Sequence, residues 1–99
     1  MILLREVFQL KFGKAKEALA LIPEGIALAA RGGVKTERVL TDLTGPYYTL
    51  VLESTHASLA EFERSLEGEL GAAEWSAWYE RFKPLVESGR REIFRIVTP

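Results

Sequence analysis

Residues 47–53 (Tyr-Tyr-Thr-Leu-Val-Leu-Glu) alternate as a strand does, yet they are apolar on both sides. Tyr48, Leu50 and Leu52 point one way, Tyr47 and Val51 the other. Successive side chains of a strand project to opposite faces of its sheet, so both faces need cover. A few residues later Ser58 precedes Glu61 by three, the spacing of a capping box at a helix start. Helices from the same chain can cover one face. A chain of 99 residues builds one modest core, so the second cover is expected from another subunit.

The rest of the chain supplies the other elements. Residues 2–11 read as a first strand, with Ile2, Leu4, Phe8 and Leu10 on one parity and Leu3 and Val7 on the other. Residues 14–31 carry a helical stripe from Ala15 to Ala30, with Pro23 inside it predicting a kink or two shorter helices. Gly32 and Gly33 stop that helix. Residues 34–44 read as the second strand, and Gly45-Pro46 as a hairpin turn into the third. The helix capped by Ser58 buries Leu59, Phe62, Leu66 and Leu70, and is interrupted at Gly68 and Gly71. A second stripe follows at Trp75, Trp78, Tyr79, Phe82, Leu85 and Val86, shortened or bent by Pro84. Ser88-Gly89 ends it, and residues 92–97 form a fourth strand.

Strand, helix, strand, strand, helix pair, strand is the split βαβ order. It predicts one α+β domain over residues 1–99, a ferredoxin-like sandwich with an antiparallel four-stranded sheet. Its connections place both helical regions on one side of the sheet. The opposite face then carries Leu3, Val7, Val39, Leu43, Tyr47 and Val51 beside Arg5, Thr41 and Thr49. Burying a large apolar side chain contributes roughly 1.5–3 kcal/mol, so leaving this set half exposed forfeits much of a total of about 5–15 kcal/mol. A homodimer or higher closed assembly is therefore expected, with those six residues at its interface.

Composition narrows the function classes. Thirteen basic against fourteen acidic residues, interspersed, leave no Lys/Arg block for a phosphate backbone, so nucleic acid is not an expected partner. No apolar run reaches the roughly 20 residues that span a bilayer, and the N-terminus opens directly into a strand pattern; a cytoplasmic protein is expected. The absence of Cys excludes disulfides and thiolate chemistry. Asn is absent, Gln9 is the sole Gln and Asp42 the sole Asp, a usage that resembles thermophile proteins.

Several segments resemble NIPSNAP-like proteins of the dimeric α/β-barrel superfamily. They are the opening Met1-Ile2 strand ending Leu10-Lys11-Phe12-Gly13-Lys14, Gly45-Pro46-Tyr47 with its apolar strand, Ser58-Leu59-Ala60-Glu61-Phe62, and the tail from Trp75 through Phe82 into Ser88-Gly89-Arg90. The resemblance implies two ferredoxin-like sheets packed face to face as a dimer. It also implies kinship with cofactor-free monooxygenases of antibiotic biosynthesis, haem-degrading enzymes, lactone isomerases and ligand-sensing domains. The chain departs from the family pattern at Glu6, Phe8 and Phe12, where Arg, Tyr and Pro are common.

Few side chains suggest chemistry. Glu6 shares parity with Leu4 and Phe8; drawn out of water on the helix side, it could transfer a proton, or it could pair with a neighbouring Arg. His56, the sole histidine, could act as a general base at the mouth of a sheet–helix pocket, or be an exposed loop residue. Tyr48, Trp75 and Trp78 are candidates to line a ligand cavity, against a purely structural use in the core. Arg90 and Arg91 could hold an anion, or pair with Glu87 or Glu92. No metal site is expected, since no second His or Cys exists, and no nucleophile elbow, Walker loop or dinucleotide fingerprint calls for a cofactor. The expected function is binding of a small apolar molecule between sheet and helices. The alternatives are a cofactor-independent monooxygenase or isomerase using Glu6 and His56, and a non-catalytic structural or protein-interaction dimer.

Overall fold

A computed structural model describes residues 1–68 and 72–98. In chain order they form β1 (Ile2–Leu10), α1 (Ala15–Arg31), β2 (Thr36–Thr41), β3 (Thr49–His56), α2 (Leu59–Glu67), α3 (Ala73–Phe82), a 3-10 turn (Lys83–Leu85) and β4 (Val86–Arg95). The four strands make one antiparallel sheet in the order β2-β3-β1-β4. This is the expected ferredoxin-like α+β architecture, with the helices on one face.

Local chemistry explains the element ends. After α1, Gly33 takes φ +90°, and the amides of Gly32, Gly33 and Val34 donate to the carbonyls of Ala29 and Ala30. At α2, Ser58 Oγ accepts from the Glu61 amide at 3.2 Å. Pro23 breaks nothing, because α1 runs through it as one helix. The bond it removes would have used the Leu19 carbonyl, and both residues lie on the exposed side, where water serves that carbonyl.

The β2–β3 connection and β4 differ from expectation. Residues 42–48 form a longer loop in place of a tight Gly45-Pro46 turn. Asp42 Oδ1 closes it by accepting from the Thr49 amide at 2.9 Å, while the Thr49 hydroxyl donates to the Pro46 carbonyl. Tyr47 and Tyr48 therefore belong to the loop, not to a strand. β4 begins at Val86 because Pro84 ends the helical stretch early. Ser88-Gly89 is consequently inside a strand. Gly89 lies opposite Phe8, and a Cβ there would come within 3.0 Å of the Phe8 ring. Of the side chains expected under α2, Phe62 is buried but Leu59 and Leu66 stay exposed; Leu70 and Gly71 lie outside the described residues.

The core lies between sheet and helices. Leu10 and Leu50 from the sheet meet Ala18, Ile22 and Leu28 of α1 and Trp78 and Phe82 of α3. Trp78 stacks on Phe82 at 5.0 Å, and Phe82 meets the Phe8 ring edge-on at 5.3 Å. The Trp78 indole N–H donates to the Leu21 carbonyl at 2.8 Å. Its six-membered ring lies against Gly25, leaving no room for a side chain there.

On the opposite face, register places Leu3, Val7, Val51, Leu40 and Phe94 together. Val39 is paired with Leu52 and so falls on the helix side. A bulge at residues 36–38 of β2 causes this, since the extra residue reverses the alternation beyond it. Leu43 and Tyr47 lie in the exposed loop. Of the six residues expected on this face, Leu3, Val7 and Val51 occupy it; Val39, Leu43 and Tyr47 do not.

A row of alternating charge crosses the same face: Arg38 on β2, Glu53 on β3, Arg5 on β1, Glu92 on β4. Arg38 Nε donates to Glu53 at 2.7 Å, and Arg5 Nε stands 3.0 Å from the other oxygen, off hydrogen-bond direction. Arg5 and Arg90 both donate to Glu92, at 3.4 and 2.9 Å. Glu53 is only 4% exposed, and two guanidiniums compensate its carboxylate.

Helix propensity alone predicts that Gly25→Ala stabilises α1 by about 1 kcal/mol. The Trp78 contact reverses the sign, because overpacking costs about 1–3 kcal/mol. A net loss in urea unfolding is expected; a gain in stability would contradict the packing.

Candidate functional site

The helices do not close fully onto the sheet. Between them lies a cavity of about 280 Å³, at the small end of ligand pockets (roughly 300–1,000 Å³). Its apolar walls come from Leu4, Phe8 and Leu52 of the sheet, Ile22 and Ile26 of α1, and Phe62, Trp75 and Trp78 of α2 and α3. Trp75 stacks on Trp78 at 5.0 Å, so the indole layer continues from the core into the cavity wall.

The polar groups are few. Ser54 and Thr36, paired across β3 and β2, contribute hydroxyls. Glu6 and Arg91, paired across β1 and β4, stand side by side, with Arg91 Nε donating to Glu6 Oε1. The Arg91 guanidinium also lies over the Phe62 ring, with Cζ 5.1 Å from the centroid. A second hollow of about 420 Å³ adjoins the first and shares Glu6, Phe8, Tyr79, Phe82 and Arg91 with it. The ion pair thus stands where the two spaces meet. Arg91's side chain is 44% exposed against 3% for Trp78, so the cavity runs from a charged, wet end to an apolar one.

The sequence candidates fare differently. Glu6 faces the helix side and lines the cavity, but as the partner of Arg91 rather than as a lone desolvated carboxylate. Trp75 and Trp78 line the cavity as well as the core. Tyr48 does not. It sits in the β2–β3 loop at φ +59°, its carbonyl accepting from the Leu10 amide and its ring 5.0 Å from Phe12.

His56 is neither a loop residue nor a cavity residue. It ends β3 at 2% exposure, with Nε2 3.0 Å from Ser54 Oγ and its ring 5.1 Å from Phe62. Nδ1 is buried and has no hydrogen-bond partner among the described residues. Unpaired buried donors are the more costly choice, so the proton belongs on Nε2, donating to Ser54. The Ser54 hydroxyl hydrogen is then free for an acceptor in the cavity.

Sequence reasoning missed Ser54 and Phe62 as lining residues. A polar residue on the core parity of β3, between Leu52 and His56, was the available signal for Ser54. Nothing local signalled that Glu6 and Arg91 would meet. Among the described residues, no three His, Asp or Glu side chains are grouped to hold a metal ion, and no helix is long and apolar enough to cross a membrane.

Solved structures match this architecture along its whole length. An uncharacterised NIPSNAP domain protein from Burkholderia xenovorans superposes with a TM-score of 0.91 at 16% identity, covering 100% of this chain and 99% of that one. A NIPSNAP family protein from Agrobacterium tumefaciens gives 0.88 at 23% identity, with 98% and 88% covered. The fold is that of the NIPSNAP domain. SnoaB, a cofactor-independent oxygenase from Streptomyces nogalater, shares the NIPSNAP layout with a TM-score of 0.75 at 14% identity, covering 99% of this chain and 94% of that one. No protein-family model matches the sequence, and no curated protein does.

Proposed function

We propose that this chain binds a small, largely apolar molecule in the cavity between sheet and helices. The observation that supports the reading most is the cavity itself: about 280 Å³, walled by indole, phenyl and aliphatic groups, with its few polar groups in one rim and one wall. Apolar space with a few convergent polar groups is the usual form of a small-molecule site. Calorimetric titration with 2-acetonaphthone, a neutral bicyclic ketone, should give one-site saturable binding with Kd below about 1 mM. Ile26→Phe, which fills the cavity from α1, should abolish it. Absence of binding to the native chain would leave a non-catalytic structural dimer as the better reading.

Cofactor-independent oxygenation or isomerisation in the same cavity is a second reading. It draws on the layout shared with SnoaB and on the Glu6 carboxylate at the cavity rim. An electron-rich substrate would itself reduce oxygen, so the protein need only bind it and accept a proton. Oxygen consumption with a small quinol, above the buffer rate and lost in Glu6→Ala, is the expected result. Rates equal in the two proteins would remove Glu6 from the chemistry; His56, walled off behind Ser54 and Phe62, is the weaker candidate.

The proposed partner is a second copy of the chain, seated on the open sheet face. Leu40 and Phe94, exposed beside Leu3, Val7 and Val51, favour such a contact. The chain should sediment as a dimer at micromolar concentration, and Phe94→Lys should shift it toward monomer. A native monomer would contradict this assembly.

A further inference from the structure

We infer that the molecule bound in this cavity carries a carboxylate, seated by Arg91; the inference rests on the ligand-binding reading above. Arg91 spends one donor, Nε, on Glu6, and its plane is held over the Phe62 ring. Beyond Glu6, its guanidinium makes no hydrogen bond or ion pair with any other described residue. A guanidinium has five donors, more than one carboxylate can take up, and its planar fork matches a second carboxylate.

The surroundings favour an anion over a cation. An incoming anion meets a half-exposed guanidinium that Glu6 alone engages among the described residues. A cation would have to take Glu6 from Arg91 and leave that guanidinium unpaired. The other arginines nearby are committed elsewhere, since Arg5, Arg38 and Arg90 serve Glu53 and Glu92 on the opposite sheet face. Arg91 is the one cation among the described residues lining the cavity. Glu6 sets the limit on affinity, because a second carboxylate beside it meets like charge.

The apolar length available is set by the sheet. Arg91 on β4 and Ser54 on β3 are separated by β1, two strand spacings or roughly 10 Å, with Ser54 offset by one residue pair along the strands. A one- or two-ring acid with its carboxylate at Arg91 reaches toward the Ser54 hydroxyl.

A matched pair of probes tests the inference: 2-naphthoate, anionic, and 2-acetonaphthone, the neutral compound of similar shape. With the native chain, calorimetry should show naphthoate binding about tenfold tighter. Arg91→Met should erase that advantage, bringing the two probes to within about twofold of each other. Glu6→Gln should move the other way, raising the preference for naphthoate over the ketone several-fold, and it keeps the test open should Arg91→Met fold poorly. Ketone binding without a naphthoate advantage, or an advantage that survives Arg91→Met, would overturn the carboxylate assignment and leave the cavity reading standing. Binding of neither probe would overturn both.

Discussion

The approach of α1 to α3 at Gly25 governs the helical layer. Residue 25 has no side chain, so the Trp78 indole lies directly on the α1 backbone and its N–H reaches the Leu21 carbonyl. The stack from Trp75 through Trp78 and Phe82 to Phe8 then ties α3 to β1. With the two helices held by these rigid rings, they cannot settle further onto the sheet. What remains beneath Ile26, Phe62 and Trp75 is the cavity. Gly25 and Trp78 themselves belong to its lining, so the contact that spaces the helices also forms part of the wall, and the aromatic wall is the far end of the core.

The sheet uses its two faces differently. The helix side is mainly apolar; among the described residues its polar members are Ser54, Thr36, Thr41, His56, Arg95 and the Glu6–Arg91 pair. The other side carries an alternating charge row across all four strands, flanked by Val7 and Val51. Exposed ion pairs contribute little individually. This row matters because it lets Glu53 sit almost out of water without an unpaired charge. Both faces thus place an acid beside an arginine across neighbouring strands, but among the described residues only Arg91 of these arginines also lines the cavity.

What the sequence disclosed depended on the range of the interaction. The Ser58 cap and the Gly32-Gly33 stop are local hydrogen-bond chemistry, and both stand where their residues predicted. The strand–helix order needs only hydrophobic period, so the ferredoxin-like layout was legible too. Gly89 misled, because its reason is tertiary: it makes room for Phe8, 81 positions away in the chain, and a helix stop looks the same in sequence. Val39 misled because a bulge at residues 36–38 reverses its face, and alternation carries no mark of a bulge. Tyr48 alternates as a strand residue would; it lies in a loop because Asp42 closes that loop onto Thr49, seven residues away. For the site, Glu6 and the two tryptophans were readable from parity and stripe. The Glu6–Arg91 pair spans 85 positions, and only strand register brings its members together.

The central claim is that the space under Ile26, Phe62 and Trp75 is where a small molecule binds. Two-dimensional amide and indole NMR spectra of the chain, recorded with and without saturating 2-naphthoate, test it most directly. The largest shifts should fall on Ser54, Phe62, Arg91 and the indole N–H groups of Trp75 and Trp78, while Val7, Val51 and Thr55 on the other face barely move. Shifts concentrated on the open sheet face, with the indole signals unchanged, would contradict it.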